Sequence, residues 1–320
     1  MKLRQKIKDA VNETRILLLG AQILIGFQFH AAFQDGFDGL PAYDRYANVV
    51  ALALMLVALA SLIAPSVFHR IAEGGEDSGR LHRFTNAMAA FALLPFAVSF
   101  GLDLFMAGDR VYGPALGFGA GVLMLVMALF FWYGLEFMRR RKVGRRERAM
   151  AQKQPERREK TPLETKVDQM LTEARVILPG AQALLGFQLT IVVTSAFERI
   201  GASSKLVHLA ALCLVTLAVI LLMAPAAYHR LVYAGEDSEE FHRIGTIVVT
   251  AATVPLSLGI APDVYVVVAK ILGSRPVAVI FAGGVALGFV SLWHIYPLIL
   301  RLRTQAARAR HSEIPKGLSL

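Results

Sequence analysis

The chain has 320 residues, 55% of them hydrophobic, with a formal net charge of +10 and a mean hydropathy of +0.52. Soluble domains are about 45–50% apolar, so the composition excludes an ordinary soluble domain and points to lipid. The single cysteine, Cys213, excludes an internal disulfide framework, and the basic residues gather at the ends of apolar runs, a membrane pattern rather than a nucleic-acid one.

A helix that crosses the hydrocarbon core needs about 20 apolar residues. Eight runs qualify, at about 15–34, 47–69, 82–106, 113–137, 173–197, 206–230, 242–268 and 276–300. The expected fold class is therefore all-α, a polytopic membrane protein with eight transmembrane helices arranged as two parallel four-helix repeats. Its parts are a first membrane repeat at 1–138, a basic linker at 139–161, a second repeat at 162–304 and a tail at 305–320. The N-terminal Met-Lys-Leu-Arg-Gln-Lys-Ile-Lys leads through Asp9 and Glu13 into the first run without a small-residue cleavage site, so it reads as a retained helix.

The repeat is explicit. The segment from Glu13 to Gln28 returns from Glu173 to Gln188, with ten of sixteen positions identical, including Glu, Arg, two Gly and two Gln. The same offset of 160 residues carries Ala64-Pro65 to Ala224-Pro225, His69-Arg70 to His229-Arg230, Gly75-Glu-Asp-Ser78 to Gly235-Glu-Asp-Ser238, His82-Arg83 to His242-Arg243, Pro95 to Pro255 and Asp103 to Asp263. The fourth helices drift, with Pro114 matching Pro276 and Trp132 matching Trp293. Four spans per half, an even number, make both halves enter from the same side, so the repeat is parallel rather than inverted.

Lys and Arg near the spans set the orientation. One side collects Lys2, Arg4, Lys6, Lys8, Arg70, Arg80, Arg83, the run Arg139-Arg-Arg-Lys142, Arg230, Arg243, Arg301 and Arg303; the other has fewer cations beside Asp35, Asp38, Asp44 and Asp109. Both termini and the linker are expected on the cytoplasmic side of a cell inner membrane, with anionic headgroups near the linker and the bilayer itself as partner. After the linker, Thr161-Pro162-Leu163-Glu164 reads as an N-cap, Pro at N1 and a capping box closed by Glu164. Leu163, Val167, Met170 and Leu171 form one apolar stripe leading into the fifth span.

The polar residues inside this pattern are the candidate site. Glu13 and Arg15, with Glu173 and Arg175, stand at the cytoplasmic mouth of each half. With His69, Arg70, His229 and Arg230 they form either structural ion pairs to neighbouring helix ends or a charged vestibule. Gln22 and Gln28, with Gln182 and Gln188, lie deeper; Gln28 is about 20 Å in from Arg15, near mid-bilayer. They are candidates to bind a solute, although interhelical hydrogen-bond glue is the simpler reading. Asp103 and Asp263 fall 21 residues beyond His82 and His242, about 31 Å of helix, which puts them at the outer interface; Pro262 suggests that the helix breaks there. The two His of each half suit an interfacial, solvated or salt-bridged role better than a haem or metal site. Gly-Glu-Asp-Ser is a turn that caps the next helix. Trp132, Tyr133, Trp293 and Tyr296 suit an aromatic belt. Gly119, Gly121, Gly283 and Gly284 read as close helix packing. No phosphate loop, nucleophile elbow, zinc motif or haem-attachment motif appears, so no enzyme, catalytic residue, cofactor, metal or nucleic-acid partner is expected.

The pattern Glu-x-Arg-x-x-x-x-Gly-x-Gln-x-Leu-x-Gly-Phe, followed about forty residues later by Ala-Pro-x-x-x-His-Arg, resembles the bacterial DUF6328 membrane proteins. The matching positions are Glu13, Arg15, Gly20, Gln22, Gly26, Phe27, Ala64, Pro65, His69 and Arg70, and their partners 160 residues on. Members usually carry one copy, which implies that single-copy relatives pair and that the fusion preserves a dimer, leaving a homo-oligomer open. Function is expected to be either transport of a small ion or polar solute, a cation or proton, or a non-catalytic membrane scaffold.

Overall fold

The computed structural model describes residues 3–134, 161–231 and 237–312. Linker residues 139–160, Gly235 and Glu236, and the side chains of Glu13, Arg15 and Arg230 lie outside the described residues. All regular structure among the described residues is helical.

The first half comprises α1 (Leu3–Ala31), α2 (Ala42–Ile71), α3 (Gly79–Tyr112) and α4 (Pro114–Leu129), the last prolonged by a π-helical turn at Phe130–Gly134. The second half comprises α5 (Leu163–Val192), the short α6 (Ser195–Arg199), α7 (Ala202–Leu231), α8 (Glu239–Leu272) and α9 (Arg275–Val290), then a π turn at Ser291–Ile295 and α10 (Tyr296–Ser312). Six of these stretches are long and apolar enough to cross a membrane; Leu17–Ala31 and Pro114–Leu129 are apolar but shorter. The final helix runs to Ser312, past the expected end of the second repeat.

Local chemistry explains the helix starts. Ser78 Oγ accepts from Leu81 N at 3.0 Å and Ser238 Oγ accepts from Phe241 N at 3.1 Å, so both copies of the Gly-Glu-Asp-Ser turn cap the following helix. Gly74 and Gly75 hold φ of +62° and +78°, a left-handed conformation that a side chain would strain. The expected capping box at Thr161 is not formed. The helix starts at Leu163, Pro162 offers no side-chain cap, and Thr161 Oγ1 instead accepts from Asp77 N at 3.3 Å. Pro65, Pro95, Pro255 and Pro262 all lie inside continuous helices, so the break expected beside Asp263 does not occur; α8 continues to Leu272.

In each half the second and third helices pack along one another, and α1 packs on α5 to join the halves. The main core is an apolar cluster drawn from both halves, including Leu18, Ile25, Leu59, Ile177, Leu256 and Trp293, and a smaller cluster holds Phe68 and Leu81. The fourth helices behave differently. In the first half, a Cβ on Gly121 would lie 2.6 Å from Gly101 O and one on Gly117 2.6 Å from Phe105 O, so glycine lets α3 and α4 touch backbone to backbone. The second half has Ala261 and Val268 where the first has Gly101 and Gly108. There α9 and its π turn also reach α2 of the first half, and Trp293 Nε1 donates to Ala60 O at 2.8 Å. Trp293 is therefore fully buried rather than part of an interfacial belt, and Tyr296 stacks on Phe68 and Phe84. Trp132 stays within its own half against Phe96 and Phe100. Close packing holds for Gly121; a Cβ on Gly119, Gly283 or Gly284 would meet nothing within 4 Å.

Candidate functional site

The most deeply enclosed polar cluster lies in the second half. Asp263 of α8 is 2% exposed. Its Oδ1 is 2.8 Å from His208 Nδ1 on α7, and its Oδ2 accepts from Gln188 Nε2 on α5. His208 Nε2 lies 3.1 Å from the Gln188 carbonyl. Three helices thus meet at one carboxyl group, which has both a hydrogen-bonding amide and an ionisable ring beside it. A buried carboxylate requires such partners, because an uncompensated charge in a low-dielectric interior is expensive.

The first half holds the copy. Gln28 Nε2 donates to Asp103 Oδ1 and Oδ2 at 3.2 and 3.1 Å and to Ser99 Oγ at 3.0 Å, and Ser99 Oγ donates to Ala51 O at 3.1 Å. Where the second half has His208, the first has Asn48, which is buried with no partner for its Oδ1. Asp103 is half-buried. The Gln–Asp pair is thus common to both halves, and the imidazole belongs to one.

Depth follows from these bonds. His208 precedes His229 by 21 residues and Asp263 follows His242 by 21, so both routes put the cluster about 31 Å along the helix from the His–Arg end. Gln28 and Gln188, placed near mid-bilayer by counting along their own helices, are drawn to the level of the aspartates. The glutamines thus bind inward within their own halves.

Gln22 and Gln182 part company. Gln22 is completely buried at the α1–α5 contact, so close to Gly180 that any Cβ there would overlap it, and neither amide atom has a hydrogen-bond partner. Gln182 is exposed. Gly26 receives the Phe187 ring in the same seam, and its copy Gly186 is open. The seam is therefore not symmetric.

At the His–Arg end, Glu173 crosses between halves. Its Oε1 is 2.7 Å from His69 Nδ1 and its Oε2 is 2.5 Å from Arg70 Nη2, which also donates to Met170 O at 3.1 Å. All three side chains are buried. His229 instead lies 3.3 Å from Asp237 and stacks on Phe241, and Arg175 is exposed. The turn of the first half grips the start of the second. Glu76 Oε1 accepts from Lys166 Nζ at 2.6 Å, Glu76 Oε2 from Thr161 N at 3.1 Å, and Asp77 Oδ1 from Gln169 Nε2 at 2.9 Å. Burial pushes the Glu76 carboxyl up, but Lys166 and Thr161 outweigh it and hold the group below its ordinary value. At the opposite end, Lys270 Nζ donates to Asp38, Ser195 Oγ donates to Asp35 Oδ1 at 2.6 Å, and Phe33 packs on Phe197.

Sequence reasoning missed two features. His208 passed unnoticed because its counterpart is Asn48, so no repeated histidine marks it. The other is Asp44, buried beside Asp109, to which the Tyr43 hydroxyl donates at 2.8 Å. Their counterparts are Ser204, Ala269 and Ser203, so the repeat does not point to them. Among the described residues no group of three or more His, Cys, Asp or Glu converges as a metal site.

Long apolar helices packed around a shared core and enclosing a few paired ionisable groups are the build of a multi-pass membrane protein. The chain belongs to the DUF6328 family, a family of unknown function, whose model matches residues 1–136 and again 156–297, so it is a tandem-duplicated member. Searches of curated proteins and of solved structures gave no match.

Proposed function

We propose that the protein moves protons, or another small cation, across the bilayer, with Asp263–His208–Gln188 and Asp103–Gln28 as stations inside the two halves. One observation carries this reading: Asp263 is enclosed by helices yet held against an ionisable ring. A carboxyl group enclosed among helices away from water is costly to ionise, and neutral Gln–Ser bonds would join helices without that cost. In this reading all eight helices cross the membrane as two parallel four-helix repeats. The His–Arg end is cytoplasmic, and Glu173, His69 and Arg70, with Arg175 and His229, form its charged rim. Gln22 lies in the seam between the halves, and Gln182 faces outward.

The test is a pH-dye assay in liposomes carrying the purified protein. Proton uptake under a gradient, lost in Asp103→Asn plus Asp263→Asn while the thermal transition persists, is the expected result. Absence of flux of protons, sodium and potassium through the folded wild type overturns the reading.

A second reading, a non-catalytic scaffold, draws on the cross-half clasp of Glu173 by His69 and Arg70. It expects the same aspartate changes to reduce stability and partner co-purification without any flux to lose.

A further inference from the structure

A cleft of about 640 Å³ opens at the His–Arg end between the halves. Arg70 and Gly74 of the first half line it, with His242, Arg243 and Thr246 of α8 and Arg301 of α10. Arg70 is its fixed element. The side chain is more than nine-tenths buried, Nη2 is anchored on Glu173 and Met170 O, and Nη1 has no partner in the protein. Arg70 lines the cleft with its guanidinium locked on one nitrogen and without a protein partner on the other, enclosed nitrogen, a preorganised donor. Arg243 and Arg301 are exposed and add two cations, and Thr246 adds a hydroxyl. The exposed Ile247 continues the lining onto the apolar flank of α8. Glu239 and Glu240 also line the cleft, in the first turn of α8, where the helix dipole favours them. They make the lining mixed in charge, which excludes a polyanion filling the whole cleft and suits a single phosphate.

We propose that this cleft binds one phosphate group, and that the meeting of its arginines with the apolar Ile247 suits the phosphate of an anionic lipid headgroup. The site shares Arg70 with the rim of the transport reading but does not rest on that reading, since none of its residues touches the buried aspartates.

The experiment uses the full chain in neutral detergent, with native mass spectrometry and thermal unfolding. Phosphatidylglycerol, phosphatidylcholine and inorganic phosphate are added in separate arms. Arg243→Gln plus Arg301→Gln is compared with Arg83→Gln plus Arg303→Gln, which removes two charges from the same end outside the cleft. Expected is selective retention of phosphatidylglycerol, weakened about tenfold in the cleft pair and unchanged in the control pair. Thr246→Val, which alters no charge, weakens it as well. Inorganic phosphate binding with the same dependence on the variants, and no preference for phosphatidylglycerol, supports the site with a soluble anion as its ligand. No binding in either arm, or equal loss in the two charge pairs, overturns the proposal.

Discussion

His208 and Asn48 stand at the same place in the two copies, 160 residues apart, but only His208 brings an ionisable ring to its aspartate. The duplication has therefore produced two unequal versions of one buried Gln–Asp pair. His208→Ala is expected to destabilise the protein by about 3–5 kcal/mol, because it leaves the enclosed Asp263 without one of its two side-chain partners. His208→Asn, which restores an amide donor as in the first copy, should cost clearly less. Thermal unfolding of the two variants in detergent decides this; equal losses would mean that the ring acts by packing alone.

The clasp between halves makes a second prediction. Glu173→Gln removes the charge that both His69 and Arg70 face, leaving a buried guanidinium unpaired. A loss of about 3–5 kcal/mol is expected. Arg175→Gln, on an exposed side chain two residues away, should change stability by no more than about 0.5 kcal/mol. The comparison is read from thermal midpoints at one pH.

Glycines in the fourth helices should respond in opposite directions. Gly121→Ala would put a Cβ 2.6 Å from Gly101 O, forcing α3 and α4 apart, and should cost about 1–3 kcal/mol. Gly283→Ala meets nothing and should stabilise by about 0.4–1 kcal/mol through the lower entropy of the unfolded chain. Matching shifts in the two variants would contradict the difference in packing.

The Glu76–Lys166 contact predicts a pH dependence. The folded carboxyl titrates below its ordinary value, so its contribution is present above the unfolded value and fades as pH falls through the folded one. The pair is partly exposed, so the effect is at most about 1 kcal/mol. Lys166→Ala should flatten the acid limb of stability between about pH 5 and pH 3. An unchanged acid limb would show that the contact does not stabilise the fold.

Much of this could be read along the chain because periodicity and repetition are one-dimensional. Hydrophobic runs located the helices, the 160-residue offset exposed the duplication, and Ser78 and Ser238 announced their caps. Counting residues along α1 put Gln28 near mid-bilayer, because a count along one helix carries no information about which neighbour a side chain turns toward. Gln22 and Gln182 are the same letter in the same motif, yet one is sealed against Gly180 and the other is exposed. The repeat also hid what it did not duplicate: His208, and Asp44 beside Asp109.

The sequence by itself determined that this is a duplicated, helical membrane chain, because apolar run length and a recurring motif are properties of the string. Only the tertiary structure decided which polar groups meet. Glu173 faces the other half's His69 and Arg70, and Asp263 gathers Gln188 and His208, because pairing inside a bundle depends on helix rotation and crossing. Those are set jointly by where glycine allows close approach and where buried charges find partners.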